Sequence, residues 1–218
     1  MTTLAGIDVS NFQGAFDWAA WKGKIGFAFA KATEGVTFRD PDFATNWARM
    51  KALGITRGAY HFLHAGTGGE QQAAYFLADV RPEPGDLLAV DVEGAGLDGL
   101  DAARLWEAAA AFAAAVHSAT GAWPFAYTEI SLAASAPSAI GTCPLWLADP
   151  SQVPAPPPVG PWRLVSMEQT GQRGVDADAF YGTGAELAKL AVPAPPELVT
   201  RAQATAALAL AVAYVAVH

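Results

Sequence analysis

Asp91 and Glu93 stand in the run Ala89-Val90-Asp91-Val92-Glu93, two carboxylates separated by one β-branched residue. Read as a strand, the run sends side chains at i and i+2 to the same face, so the two acids share one environment. Like charges held together and partly withdrawn from water raise the pKa of one carboxyl and leave it protonated near neutral pH. Glycoside hydrolysis needs such a pair: one acid protonates the leaving oxygen, and a second carboxylate assists on the other side of the sugar. The tripeptide by itself is common, and the same acids could be a capped strand end or ion partners of Lys31. Its weight comes from company. Asp8 ends the apolar run Leu4-Ala5-Gly6-Ile7, Lys31 follows a second run, and Tyr60 and His61 end a third. Tyr127 ends another, Trp146 lies within a sixth, and Asp176 stands near the last. Polar groups recurring at strand ends point to the mouth of a β/α barrel, where active sites are assembled.

The elements that must position these groups follow from periodicity. Strands are predicted at 4–8, 25–30, 57–62, 87–92, 125–127, 145–147 and 164–167, with a last one near 175–178. Between them lie helical stretches. One starts with Asp40-Pro41 as cap and first turn and stops at Gly54; another covers 70–77. The clearest covers 101–118, where Leu105, Trp106, Phe112, Ala113 and Val116 follow helical spacing and Gly121 ends it. This alternation predicts an α/β fold, a (β/α)8 barrel formed as a single domain over residues 1–192. Pro154 to Pro161 reads as a stiff surface loop, and 193–196 as a proline-rich linker. Residues 197–218, rich in alanine and valine, read as a C-terminal accessory helix. They fall short of the roughly 20 apolar residues of a membrane span, and a membrane or partner contact there is a secondary reading.

Composition narrows the classes. The chain has 218 residues, 52% hydrophobic and 16% charged, which suits one packed globular domain. A net charge of -8 argues against nucleic acid and against an anionic membrane surface as partners. Cys143 is the single cysteine, so no intrachain disulfide forms, and with no basic partner in view the thiol is expected to be inert. His61 and His64 lack the ligand spacing of a metal site and read as structural; no metal or other cofactor is expected. Ser10 stands in no Gly-x-Ser-x-Gly elbow, and neither a P-loop nor a dinucleotide fingerprint occurs. Glu34 reads as a group that orients Lys31 or a loop. The N-terminus carries no basic and apolar leader pattern, from which we expect synthesis in a bacterial cytoplasm and release to the cell wall, as for a phage endolysin, or non-classical export.

Gly6-Ile7-Asp8-Val9-Ser10 with Gln13-Gly14, Asp17-Trp18, Lys31-Ala32-Thr33-Glu34-Gly35, Gly58-Ala59-Tyr60-His61-Phe62, Asp91-Val92-Glu93, Trp146-Leu147-Ala148, and Gln169 followed by Val175-Asp176-Ala177-Asp178-Ala179-Phe180 form an ordered set. In that order the sequence resembles the family-25 glycoside hydrolases, lysozymes of the Chalaropsis type, over about residues 4 to 190. Each piece is weak alone, and the set is specific. The sequence departs from the family where an aromatic before the late Gln is replaced by Met167-Glu168. The resemblance implies an irregular (β/α)8 barrel and a muramidase that cleaves the β-1,4 bond between N-acetylmuramic acid and N-acetylglucosamine in peptidoglycan glycan strands; a monomer is expected. It maps the family's acidic positions onto Asp8, Asp91, Glu93 and Asp176. It implies Glu93 as proton donor, Asp91 and Asp176 as groups that position or polarise the 2-acetamido group or stabilise the positive sugar, and Asp8 as a tuning residue. Tyr60, Tyr127, Trp146, Lys31 and Gln169 are the expected substrate contacts. Whether the acetamido oxygen or a water is the nucleophile stays open.

Two rivals remain. A chitinase-like N-acetylglucosaminidase would require a denser acidic motif, which Asp86, Ala89, Asp91 and Glu93 match except at Ala89. A non-catalytic wall-binding barrel would have no need to retain four carboxylates.

Overall fold

Along the runs 25–30 and 87–90 the inward and outward positions are both apolar, as expected for strands buried on two faces. A computed structural model describes residues 2–149, 158–172 and 174–195 and shows why. In chain order its elements are β1 (Leu4–Val9), β2 (Phe27–Glu34), β3 (Phe38–Arg39), α1 (Phe43–Leu53), β4 (Thr56–Phe62), α2 (Gly69–Val80) and β5 (Leu87–Val92). Then follow α3 (Ala102–Thr120), β6 (Phe125–Glu129), α4 (Ile130–Ala133), β7 (Leu145–Ala148), β8 (Met167–Gln172), β9 (Asp176–Phe180) and α5 (Gly184–Ala188). The strand order is β1-β9-β8-β7-β6-β5-β4-β2-β3, and β1 also pairs with β2. Every strand but β3 therefore belongs to a closed barrel of eight.

The ring is parallel from β1 through β2, β4, β5, β6 and β7 to β8; β9 runs antiparallel between β8 and β1. A tight β8–β9 return thus replaces the last crossover helix. The long helices α1, α2 and α3 cover the outside of β2, β4 and β5.

The two faces of the strands build two cores. Leu88, Val90 and Val92 point outward and meet Phe76, Leu105, Trp106, Phe112 and Val116 of the helices. Leu87, Ala89, Phe27, Phe29, Phe125, Trp146, Met167 and Phe180 point inward and fill the lower barrel, with Leu187 and Ala191 beneath them. The inner layer depends on two missing side chains. A Cβ at Gly6 would lie 2.2 Å from the Phe27 ring and one at Gly58 2.3 Å from the Phe29 ring, so these glycines make room for the two phenylalanines.

Several expectations shift. Helix α1 begins at Phe43; one Asp40 oxygen accepts the N–H of Asp42 just ahead of it at 2.9 Å, and the other accepts the N–H of Asn11 at 2.8 Å. The strand expected at 164–167 starts only at Met167, and Leu164 is 77% exposed. The apolar pair Leu164-Val165 misleads there; pairing with β7 starts at the Ser166 N–H, which donates to Leu145 O at 2.9 Å. Strand β2 starts at Phe27 and runs on to Glu34, past Lys31, with a register irregularity between Lys31 and Thr33 against β4. Strand β9 begins one residue later than expected and ends at Phe180. Helices α1 and α3 stop at Gly54 and Gly121 as predicted. Residues 190–193 fold back under the barrel, where Val192 exchanges backbone hydrogen bonds with Gly85 and Asp86, both 2.9 Å. The expected accessory helix at 197–218, the final residue of the 193–196 linker, and 154–157 of the proline-rich loop lie outside the described residues.

Candidate active site

One step above the aromatic floor, the inward positions turn polar. Asp8 comes from β1, Lys31 from β2, Tyr60 from β4, Asp91 from β5, Tyr127 from β6, Gln169 from β8 and Asp176 from β9. Glu93 lies one residue past β5, two positions from Asp91 and on the same face. Together with Trp146, Ser10, Phe12, Gln13 and Phe62 they line one cleft of about 210 Å³. Every site residue expected from the sequence is in it.

Strand register sets the neighbours. Asp8 lies opposite Asp176 across the antiparallel β1–β9 pair, Asp91 beside Tyr127, Tyr127 beside Trp146, and Lys31 beside Tyr60. Gln169 links the two sides of the mouth: its Nε2 donates to Asp8 Oδ2 at 2.9 Å, and its Oε1 accepts from the Tyr127 hydroxyl at 2.9 Å. This settles the face of β8 despite Met167-Glu168. Met167 joins the inner floor and Gln169 the mouth, while the Tyr181 hydroxyl donates to Glu168. The Tyr127 and Trp146 rings meet edge to face, 4.9 Å apart.

The carboxylates are held away from their usual acidity. Burial, then the charge of Asp176, pushes Asp8 up to about 8, against the lowering effect of the Gln169 hydrogen bond. Burial, then Glu93, carries Asp91 well above the carboxylate range, with Lys31 opposing. Glu93 is raised as well, by burial and then by Glu129, while Tyr127 and Lys31 pull it down. These groups titrate together, so the protons belong to the cluster and not all its members ionise at neutral pH. Burial keeps the Tyr60 and Tyr127 phenols neutral, which makes them hydrogen-bond donors and not bases. Asp91 Oδ1 is buried and, among the described residues, has no hydrogen-bond partner.

Residues outside the expected set also matter. Asp178, buried and bonded by Trp146 Nε1 at 3.0 Å, lies under Asp176 on the same face of β9. The i, i+2 rule that pairs Asp91 with Glu93 finds it in Asp176-Ala177-Asp178, and finds Glu129 two residues after Tyr127. Phe12, 86% exposed, stands at the lip in a turn held by the reciprocal Ser10–Gln13 cap. No sequence periodicity marks a loop aromatic of this kind. Glu34 does orient Lys31, taking its Nζ at 2.6 Å, and also meets His64 Nε2 at 3.0 Å. His61 is structural: it is fully buried, bonded to Thr33 and Gln72, and stacked on Phe112. Burial pushes the Cys143 thiol up to about 12, away from the reactive thiolate. Asp86 lies at the other end of the barrel, before β5, where Arg57 grips it through two hydrogen bonds of 2.7 and 3.0 Å.

A closed β/α barrel with carboxylates converging between tyrosine and tryptophan walls, at the C-terminal ends of its parallel strands, defines a carboxylate-dependent glycoside hydrolase. Residues 7–169 match the glycosyl hydrolases family 25, and the chain belongs to that family. It is 32% identical over 203 residues to an N,O-diacetylmuramidase of Chalaropsis sp, covering 83% of this chain and 92% of that one. Its fold superposes on a bacterial lysozyme from Streptomyces coelicolor with a TM-score of 0.78 at 29% identity, over 87% of this chain and 97% of the other. A family GH25 lysozyme from Aspergillus fumigatus gives a TM-score of 0.76 at 30% identity, over 87% and 99%.

Proposed function

We propose that this enzyme hydrolyses the β-1,4 bond between N-acetylmuramic acid and N-acetylglucosamine in peptidoglycan. The observation that carries the reading is the unequal placement of two neighbouring acids. Glu93 is half-buried and lines the open cleft, whereas Asp91 is buried beneath it with Oδ1 unpartnered. Environments that differ in this way divide the roles of acid and stabiliser between two carboxyls. Glu93 holds a proton and delivers it to the leaving oxygen. With the proton that the pair shares placed on Glu93, Asp91 is ionised where it borders the cleft, accepts the acetamido N–H of the sugar, turns the acetamido group toward the anomeric carbon and supports positive charge there. Asp176 faces the same sugar from the opposite strand pair. Asp8, held by Gln169, sets how many protons the cluster keeps. Tyr60 and Tyr127 border the glycan's place in the cleft, Trp146 packs behind Tyr127 with its N–H held by Asp178, and Lys31 offsets the cluster's negative charge.

The chitinase-like alternative loses its support at Asp86. That motif already lacks an acid at Ala89, and Asp86 is bound to Arg57 at the barrel floor, away from the cleft. Mass spectrometry of the fragments released from defined peptidoglycan tests the proposal. The new reducing ends should be N-acetylmuramic acid; N-acetylglucosamine ends, or equal cleavage of chitin oligomers, would overturn it.

A further inference from the structure

One carboxylate beside the reaction centre has no part in that mechanism. Glu129 is the last residue of β6, two positions beyond Tyr127 and therefore on the inward face. Val92 pairs with Thr128 across β5 and β6, so the next step of the parallel register sets Glu93 beside Glu129. The Glu129 side chain leans over the neighbouring turn: its Oε1 lies 3.3 Å from where a Cβ at Gly94 would stand. Glu129 is half-buried, and among the described residues it forms no ion pair. A like charge placed directly across from Glu93 without a compensating cation weakens the strand pair. Its position next to the acid suggests what it is kept for.

We propose that Glu129 is a positioning residue whose negative charge keeps the proton on Glu93 until the leaving oxygen arrives. The proposal rests on the reading of Glu93 as the general acid. The groups facing Glu93 divide into two sets. Lys31 from β2 and the Tyr127 hydroxyl from β6 favour its carboxylate form. Glu129 from β6 and Asp176 from β9 oppose that form, while Asp91 on its own strand and Asp8 from β1 are themselves raised by the charge of Glu93. Of these charges, Glu129 acts most strongly on Glu93 after burial itself. Its removal leaves Lys31 and Tyr127 with less opposition, and Glu93 releases its proton at lower pH. A carboxylate at position 129 is thus a means of extending activity toward alkaline pH without a group that touches substrate.

The experiment compares the full-length protein with its Glu129→Gln and Glu129→Asp variants on soluble glycan fragments of the wall, across pH. The basic limb of kcat/KM should move down by about one pH unit in Glu129→Gln, given an interaction of this size between neighbouring, partly screened charges. The ratio of wild-type to variant rate should accordingly grow with pH and reach about tenfold on the alkaline side. Glu129→Asp should recover most of the difference. Carbon-13 NMR titration of the Glu93 carboxyl reads the same change without turnover, as a lower midpoint in Glu129→Gln. An unchanged limb and midpoint, or a loss equal at every pH, would overturn the proposal. A wild-type protein that leaves the wall intact would count against the muramidase reading alone, since the NMR midpoint still decides the role of Glu129. Should the glutamine variant fail to fold, Glu129→Ser carries the same two measurements.

Discussion

The lower and upper halves of the barrel interior are built from the same inward faces of the same strands, yet their chemistry is opposite. Phe27 and Phe29 precede Lys31 on β2, Leu87 and Ala89 precede Asp91 on β5, and Phe125 precedes Tyr127 on β6. On β9, which runs the other way, Asp176 and Asp178 precede Phe180. Below, aromatic rings interlock, with Phe29 against Trp146 at 4.8 Å and against Phe125 at 5.9 Å. Above, at most two residues further along each strand, carboxylates crowd together. The dry floor excludes water from beneath the acids, and burial is the first cause of the raised proton affinity of Asp8, Asp91, Glu93 and Asp178. The comparison teaches that packing in one half sets the protonation state of the other.

The largest effect should come from breaking the upper half alone. Glu93→Gln should lower cleavage of wall substrate by about 10²- to 10⁴-fold, the usual loss for a positioned acid, with thermal unfolding little changed. Asp91→Asn should be comparably damaging on N-acetylated glycans. A substrate with a good phenolate leaving group separates the two: Glu93→Gln should recover much of its rate there and Asp91→Asn should not. Equal recovery, measured in parallel assays, would show that the roles are assigned wrongly.

Breaking the lower half should act on stability first. Phe29→Ala removes a fully buried ring that touches Phe27, Phe125 and Trp146, and should destabilise by about 3–5 kcal/mol in denaturant titration. If the floor also sets the acids' protonation, the surviving folded protein should show lower midpoints for the mouth carboxyls, because water reaches them from below.

The last effect is a slope. Asp8 is raised from 3.8 in the unfolded chain to about 8 in the fold, so between those values the folded state binds more protons than the unfolded one. Stability must therefore fall as pH rises through that window. Asp8→Asn should flatten the decline and leave the variant relatively more stable near pH 8, as thermal melts at pH 4 to 9 would reveal. An unchanged slope would mean that Asp8 does not hold its proton in the fold.

Much of both halves was legible in the sequence for a local reason. Strand alternation has period two, so Asp91 and Glu93 share a face wherever β5 runs, and acidic or aromatic residues at successive strand ends must meet if the strands close into a barrel. The helix limits at Gly54 and Gly121 are equally local, since each needs only a left-handed residue after the last turn. Where neighbours decide, the sequence misled. Leu164-Val165 has the composition of a strand, but the partner β7 begins to pair only at Ser166. Asp40 accepts an N–H just ahead of α1 as a cap would, but nothing along the chain tells that its other oxygen holds the N–H of Asn11 from the loop after β1. Asp178 and Glu129 obey the same alternation as Asp91 and Glu93, yet nothing along the chain says which charge lies across the next strand. The sequence alone determined that acids would gather at one end of a β/α barrel, because spacing along a strand fixes direction. Only the tertiary structure decided which acids keep their protons, because proton affinity depends on burial and on neighbours that are distant in the chain.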